Sequence, residues 1–138
     1  MHPETLLFFI LTACLLLAGT TMADPLPDLP EAFEAGWKGE KTCQLIYETK
    51  SVRVARCNFA PGSGHEKHFH YPHFGWALEG GLMRITDENG ESRDVEIPTG
   101  GSWSSDVITV HEALNIGETN SSYLIVEPKL STFESPKN

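Results

Sequence analysis

The stretch GSGHEKHFHYPHFGWALEGG, residues 62–81, contains four of the six histidines of this 138-residue chain. His68 and His70 are two positions apart on a predicted strand, so their side chains project from the same face. Pro72 ends that strand because proline has no N–H to donate to a β-ladder, and His73 begins the next one. A tight turn would therefore bring a third imidazole back beside the first two.

Converging imidazoles are typical of a transition-metal site. Neutral imidazole is the commonest protein ligand for such ions, and this donor type suits iron, manganese, nickel, copper or zinc without selecting among them. In HFGWAL, residues 73–78, His73 shares one strand face with Gly75 and Ala77. We interpret that face as a cavity wall with room for a ligand. The alternative is a group of surface histidines in a loop.

The rest of the chain reads as short strands separated by turns. The clearest hairpin is LMRITDENGESRDVEI, whose two strands alternate around Asn89-Gly90. No segment between residues 41 and 130 has the 3.6-residue period of a helix. This pattern predicts an all-β sandwich or small barrel. The predicted strands are residues 43–48, 52–59, 66–70, 73–78, 81–87, 93–97, 107–111 and 121–128.

The first 23 residues differ from the remainder. Their apolar run, TLLFFILTACLLLAG, is followed by small residues, which is typical of a secretory signal peptide cleaved near Ala23. We therefore expect an exported protein, periplasmic or secreted, whose mature form is not in a membrane, because the run is short for a bilayer span. Lipidation at Cys14 and a buried N-terminal helix are the alternatives. The expected divisions after the signal peptide are a proline-rich arm at 24–40, a barrel at 41–130 and a tail at 131–138.

The charge balance excludes one class of partner. The chain has 10 Lys and Arg against 19 Asp and Glu, a formal net charge of −9. Nucleic-acid binding needs a basic footprint, and the basic residues of this chain are scattered singly. No nucleic-acid partner is expected.

Two cysteines fall on predicted strands. If 43–48 and 52–59 form a hairpin folded about Lys50, Cys43 and Cys57 stand opposite each other, close to the separation that a disulfide requires. An oxidising compartment makes the bridge plausible. Two small buried thiols are the alternative.

The spacing of the glycines and histidines resembles the cupin superfamily over roughly residues 45–128. The first cupin motif has a glycine, five residues, HxH and a later glycine, and Gly62, His68, His70 and Gly80 fill those places. The second motif has a glycine, ten residues, a histidine, three residues and an asparagine. Gly100, His111 and Asn115 match it in order and spacing.

The resemblance implies an all-β fold, the cupin-type double-stranded β-helix or jelly-roll barrel, in a single domain. It also implies that His68, His70 and His111 bind a divalent transition metal. This sequence departs from the motif because the usual metal-binding glutamate is absent, and His73 stands nearest to its place. We therefore expect His73 as the fourth ligand, which would leave the ion with its full charge and a preference for anionic groups.

A second departure lies in the second motif. The proline and glycine expected within it are replaced by Asp106 and Ile108, which leaves the conformation of the loop before His111 open.

Glu66 and His65 are weaker candidates in the same cluster. Glu66 has the strand parity of His68 and His70, so it would point inward at the cavity mouth as a candidate general base or replacement ligand. A solvated charge on the rim is the alternative. His65 has the opposite parity and is expected to be exposed.

Cupins differ widely in function, so the resemblance does not fix the reaction. The leading hypothesis is an exported metal-dependent enzyme, dioxygenase-like, acting on a small organic and possibly anionic substrate. A non-catalytic module that binds a metal or small ligand is the first alternative. A metal-free sugar isomerase or epimerase is the second. Pairing of two copies through their sheets is compatible with each of them.

Overall fold

The structure is a computed structural model that describes residues 25–129. The predicted signal peptide, Cys14 and the tail at 131–138 lie outside the described residues. Residues 25–129 form eleven strands and no helix, so the all-β prediction is confirmed. Over the same residues, no helix is long and apolar enough to cross a membrane. The strands are β1 (Gly36–Trp37), β2 (Glu40–Lys41), β3 (Cys43–Glu48), β4 (Val52–Phe59), β5 (Gly64–His70), β6 (His73–Glu79), β7 (Gly81–Asp87), β8 (Ser92–Ile97), β9 (Ser102–Ser105), β10 (Thr109–Asn115) and β11 (Ser121–Pro128).

Two antiparallel sheets make up the barrel. The four-stranded sheet has the order β5-β10-β7-β8, and the five-stranded sheet has the order β3-β4-β11-β6-β9. Neighbours in each sheet are mostly distant in sequence, as in a double-stranded β-helix. The predicted hairpin is β7–β8, in which Met83 pairs with Val95. Its turn contains Gly90 at a φ of 86°, a conformation that glycine adopts without steric cost.

The core lies between the sheets. Alternate residues of β4 (Ala55, Cys57 and Phe59) and of β11 (Tyr123 and Ile125) are buried, as expected for strands with one inward face. Asn115, the asparagine of the second motif, is also fully buried. Its side-chain amide donates to the carbonyls of Phe59 and Thr119, both at 2.8 Å. This asparagine therefore ties the end of β10 to the end of β4 and to the loop before β11.

The N-terminal segment is more than the extended arm that its prolines suggested. Ala32 and Phe33 belong to the core cluster, and the Ala32 N–H donates to the carbonyl of Phe69 at 2.8 Å. The segment then continues as the short β1–β2 hairpin. The segment packs against β5 because this contact removes its apolar residues from water.

Cys43 and Cys57 pair directly across β3 and β4, as predicted, and their sulfurs form a disulfide. We expect replacement of both by serine to lower the free energy of unfolding by about 3 kcal/mol, because a crosslink that closes a loop of this length constrains the unfolded chain by roughly that amount. Urea denaturation of the variant and of the oxidised wild type measures the difference. Equal unfolding midpoints and slopes would contradict this prediction.

Candidate metal centre

The three histidines of the two motifs meet inside the barrel. β10 pairs with β5 so that His111 lies directly opposite His68, with His70 further along the same strand. One nitrogen from each of His68, His70 and His111 lies within 4.8 Å of the others. The structure therefore brings together three of the four predicted ligands.

Backbone carbonyls orient two of the imidazoles. The Nδ1–H of His68 donates to the carbonyl of Glu66 at 2.7 Å, and the Nδ1–H of His73 donates to the carbonyl of Tyr71 at 2.9 Å. A carbonyl can only accept, so Nδ1 is the donor in both rings, and in the neutral form of either ring Nε2 keeps its lone pair. Imidazoles that bind metals are commonly fixed in this way.

The donor geometry fits a metal ion. Nε2 of His68 and Nε2 of His70 are 3.0 Å apart. With metal–nitrogen bonds of about 2.0–2.1 Å, that separation corresponds to an angle of about 90–97° at the ion. Two neighbouring ligands of one ion have this arrangement.

Burial keeps these imidazoles neutral. The pKa of His68 and that of His70 lie far below the usual value, first because burial penalises the charged form and then because other imidazoles are close. The same causes lower the pKa of His111 to about 4. Neutral imidazole is the form that binds metal, so the cluster is ready to bind at neutral pH.

His73 stands beside this cluster. Its ring centre is 4.5 Å from that of His70, but its nitrogens are not part of the three-histidine group. It contributes to the wall of the same cavity. Its role as fourth ligand stays a prediction.

A β-bulge reverses the expected roles of His65 and Glu66. His111 pairs with His68 and Ala113 pairs with His65, so β5 has one residue more than β10 between these pairs. An extra residue inverts the alternation of faces beyond it. His65 is therefore buried rather than exposed, and its ring centre lies 3.8 Å from that of His68.

The inward orientation predicted for Glu66 is wrong for the same reason. Glu66 is exposed on the outer face, and its carboxylate accepts the backbone N–H of Lys38 at 2.9 Å. This carboxylate is on the wrong side of the sheet to be a general base or ligand in the cavity. Its interaction with Lys38 instead holds the β1–β2 hairpin against β5.

A buried carboxylate that the motifs did not predict lies near the cluster. Glu127 is 1% exposed, and its Oε1 lies 3.5 Å from Nδ1 of His70. Burial raises the pKa of Glu127, while an ion pair with Arg53 lowers it and offsets part of this effect. The strand parity of Tyr123, Ile125 and Glu127 was the signal that could have located it.

A cavity of about 540 Å³ adjoins the histidines. Apolar side chains from both sheets form much of its wall, and the lining also includes one arginine, Arg93, and one carboxylate, Glu96, both on β8. The space beside Gly75 is not open as expected, because a Cβ on Gly75 would clash with the indole of Trp103. The apolar wall residues include Met83, Ile85, Val95, Ile97, Trp103 and Ile125.

Solved structures with the same fold support this architecture. A cupin domain from Bordetella pertussis is 19% identical with a TM-score of 0.59, and the match covers 63% of this chain and 91% of that one. A polyketide cyclase from Streptomyces resistomycificus is 17% identical with a TM-score of 0.53, covering 78% and 80% of the two chains.

A double-stranded β-helix protein from Klebsiella pneumoniae is 19% identical with a TM-score of 0.52, covering 64% and 76%. No family model and no curated protein matches the sequence. The strand order, the buried histidine cluster and these likenesses together show that the chain has the cupin fold.

Proposed function

We propose that this protein is an exported metal-dependent enzyme, oxygenase-like, that acts on a small organic anion. The observation that carries the proposal is a cluster of three neutral imidazoles, two of which line a cavity large enough for a small molecule. One nitrogen from each of these buried imidazoles lies within 4.8 Å of the others, and a cation would bind all three lone pairs at once.

His68, His70 and His111 would hold the ion, and His73 would be the fourth ligand. A divalent ion bound by neutral imidazoles supplies Lewis acidity and, for iron, copper or nickel, redox chemistry. Because these ligands carry no charge, an anionic substrate group is favoured there. The apolar wall around Trp103 and Ile125 would bind the rest of the molecule and exclude water from it.

Arg93 supports the choice of an anion. It pairs with Ile85, which pairs with Ala113 of β10, so Arg93 lies two strands from the histidine strand. At about 4.8 Å per strand, the backbones are about 10 Å apart, and the guanidinium can span much of that gap. It is close enough that its charge contributes to lowering the pKa of His111. No carboxylate among residues 25–129 forms a salt bridge with it.

Export is the other part of the proposal. The apolar N-terminal run supports it, as does the Cys43–Cys57 disulfide, because disulfides persist mainly in oxidising compartments.

The deciding experiment is metal analysis of protein purified from its natural compartment, followed by O₂-uptake assays on small diols, diketones and carboxylates. Bound iron, copper or nickel with turnover that a chelator abolishes would support the proposal. Bound metal without turnover would indicate a non-catalytic binding module instead of an enzyme. Isomerisation of a sugar in a parallel assay that survives chelation would instead indicate a metal-free isomerase.

We expect Arg93→Gln to weaken binding of oxalate to the Co²⁺-loaded protein by roughly tenfold or more, because a hydrogen-bonded charge interaction contributes about 1.5–3 kcal/mol. Isothermal titration and the visible Co²⁺ spectrum measure it. Arg56→Gln is the matched control, because it removes the same charge from the outer face of β4. Equal oxalate affinity in the two variants would show that Arg93 does not bind the anion.

A further inference from the structure

A carboxylate occupies a core position at the end of β11. The inward residues of this strand are Tyr123, Ile125 and Glu127, and all three are buried. Burying a carboxylate is costly unless it is paired and hydrogen-bonded. Arg53 provides the pair, since its Nη2 donates to Oε2 of Glu127 at 2.5 Å.

The arginine is itself held from the other side. Nη1 and Nη2 of Arg53 donate to the two carboxylate oxygens of Glu31 at 3.0 and 2.6 Å, a bidentate arrangement that fixes the guanidinium plane. Arg53 also stacks over the ring of Phe33 at 4.7 Å. One oxygen of Glu127 is therefore held in a defined position.

The other oxygen faces the metal cluster. Oε1 of Glu127 and Nδ1 of His70 are both buried, and neither has a hydrogen-bond partner within residues 25–129. They lie 3.5 Å apart, slightly beyond the usual range of about 2.7–3.2 Å. A shift of a few tenths of an ångström would form a bond between two atoms that are costly to leave unpaired.

The position of the proton on His70 decides whether that bond forms. When the proton is on Nδ1, it points at the carboxylate and leaves Nε2 with a lone pair facing Nε2 of His68. When it is on Nε2, it donates to Nε2 of His68, 3.0 Å away, but Nδ1 and the carboxylate then face each other as two acceptors. Only the first tautomer satisfies Glu127, and only the first can bind a metal.

We propose that Glu127 is a positioning residue that holds His70 in its metal-binding tautomer. It also places a carboxylate behind His70, separated by one imidazole and one hydrogen bond from the ion that this histidine would hold, whereas the usual motif carries a carboxylate in direct contact. The proposal rests on the metal function above. Carboxylates that accept from metal-binding histidines raise the basicity of the imidazole and strengthen its bond to the ion.

Glu127→Gln tests the proposal through metal affinity. We expect the affinity for Zn²⁺, measured by competition with a chelator, to fall about 10–100-fold. Glu112→Gln is the control, because it removes the same charge next to His111 on the outward parity of β10. Circular dichroism and thermal unfolding of the metal-free variants establish that both are folded. Equal Zn²⁺ affinity in wild type and Glu127→Gln would overturn the proposal.

The tautomer itself is the second readout. Long-range ¹H–¹⁵N spectra of the metal-free protein should show the proton of His70 on Nδ1, because a hydrogen bond to a carboxylate is stronger than the competing bond to Nε2 of His68. In Glu127→Gln, Arg53 retains the amide oxygen, so the amide NH₂ faces His70 and the proton should move toward Nε2. A wild-type proton on Nε2 would overturn the proposal. If the wild type binds no Zn²⁺ at all, the metal function fails, while these spectra still report on the contact between Glu127 and His70.

Discussion

Replacing His111 with alanine is expected to reduce the affinity for Zn²⁺ by roughly a hundredfold or more. Structural zinc sites bind with about 10–16 kcal/mol shared among four ligands, so one ligand contributes about 3 kcal/mol. His111 is well suited to this test because its ring borders the cavity. Removing it enlarges an existing space instead of creating a new void. Chelator competition at pH 7 gives the affinity.

His65→Leu is the control for that experiment. His65 is buried against His68 but is not part of the three-histidine group, so its replacement should leave the Zn²⁺ affinity within a few-fold of wild type. His73→Ala belongs to the same series, because a loss comparable to that of His111→Ala would make His73 the fourth ligand. Equal Zn²⁺ affinities for His111→Ala and wild type would contradict the assignment of this cluster as a metal centre.

The metal-free protein is expected to lose stability as the pH falls below about 6.5. An unfolded imidazole takes up its proton near pH 6.5, whereas folding lowers the pKa of His111 to about 4. Between these values the unfolded state binds more protons, so the free energy of unfolding falls as the pH falls. His111 alone accounts for about 3 kcal/mol of this loss by pH 4. The pKa values of His68 and His70 are lower still, and their effect has the same sign.

Urea denaturation at several pH values between 6.5 and 5 measures this dependence while most carboxylates remain ionised. His111→Gln should reduce the slope of the unfolding free energy against pH, because one of the linked protons is removed. A wild-type midpoint that does not change over this interval would show that the cluster is hydrated and already able to accept protons.

Much of the fold follows from the sequence because the strands alternate clearly and the turns are marked. The predicted bounds 43–48, 52–59, 81–87 and 121–128 coincide with β3, β4, β7 and β11. The strands β1, β2 and β9 were not predicted, because segments of two to four residues are too short to show a period.

The same distinction between regular and irregular structure decides which site residues the sequence predicted. The spacing of the motifs predicted His68, His70 and His111, because a residue's place in a regular strand sets its direction. The bulge in β5 is irregular, so parity gave the wrong face for His65 and Glu66. The pairing of Glu31, Arg53 and Glu127 joins residues that lie far apart in the chain. Only the folded chain brings them behind His70.

The interaction between Glu31 and Arg53 bears on how this protein should be produced in a recombinant host. A polypeptide shortened to begin at residue 41, where the barrel proper starts, would lack the partner that orients Arg53 and the apolar cover supplied by Ala32 and Phe33. Affinity tags placed directly before residue 31 would crowd the same junction. The smallest fragment that retains a native histidine cluster must therefore extend upstream of Glu31, and purification handles belong at the other terminus.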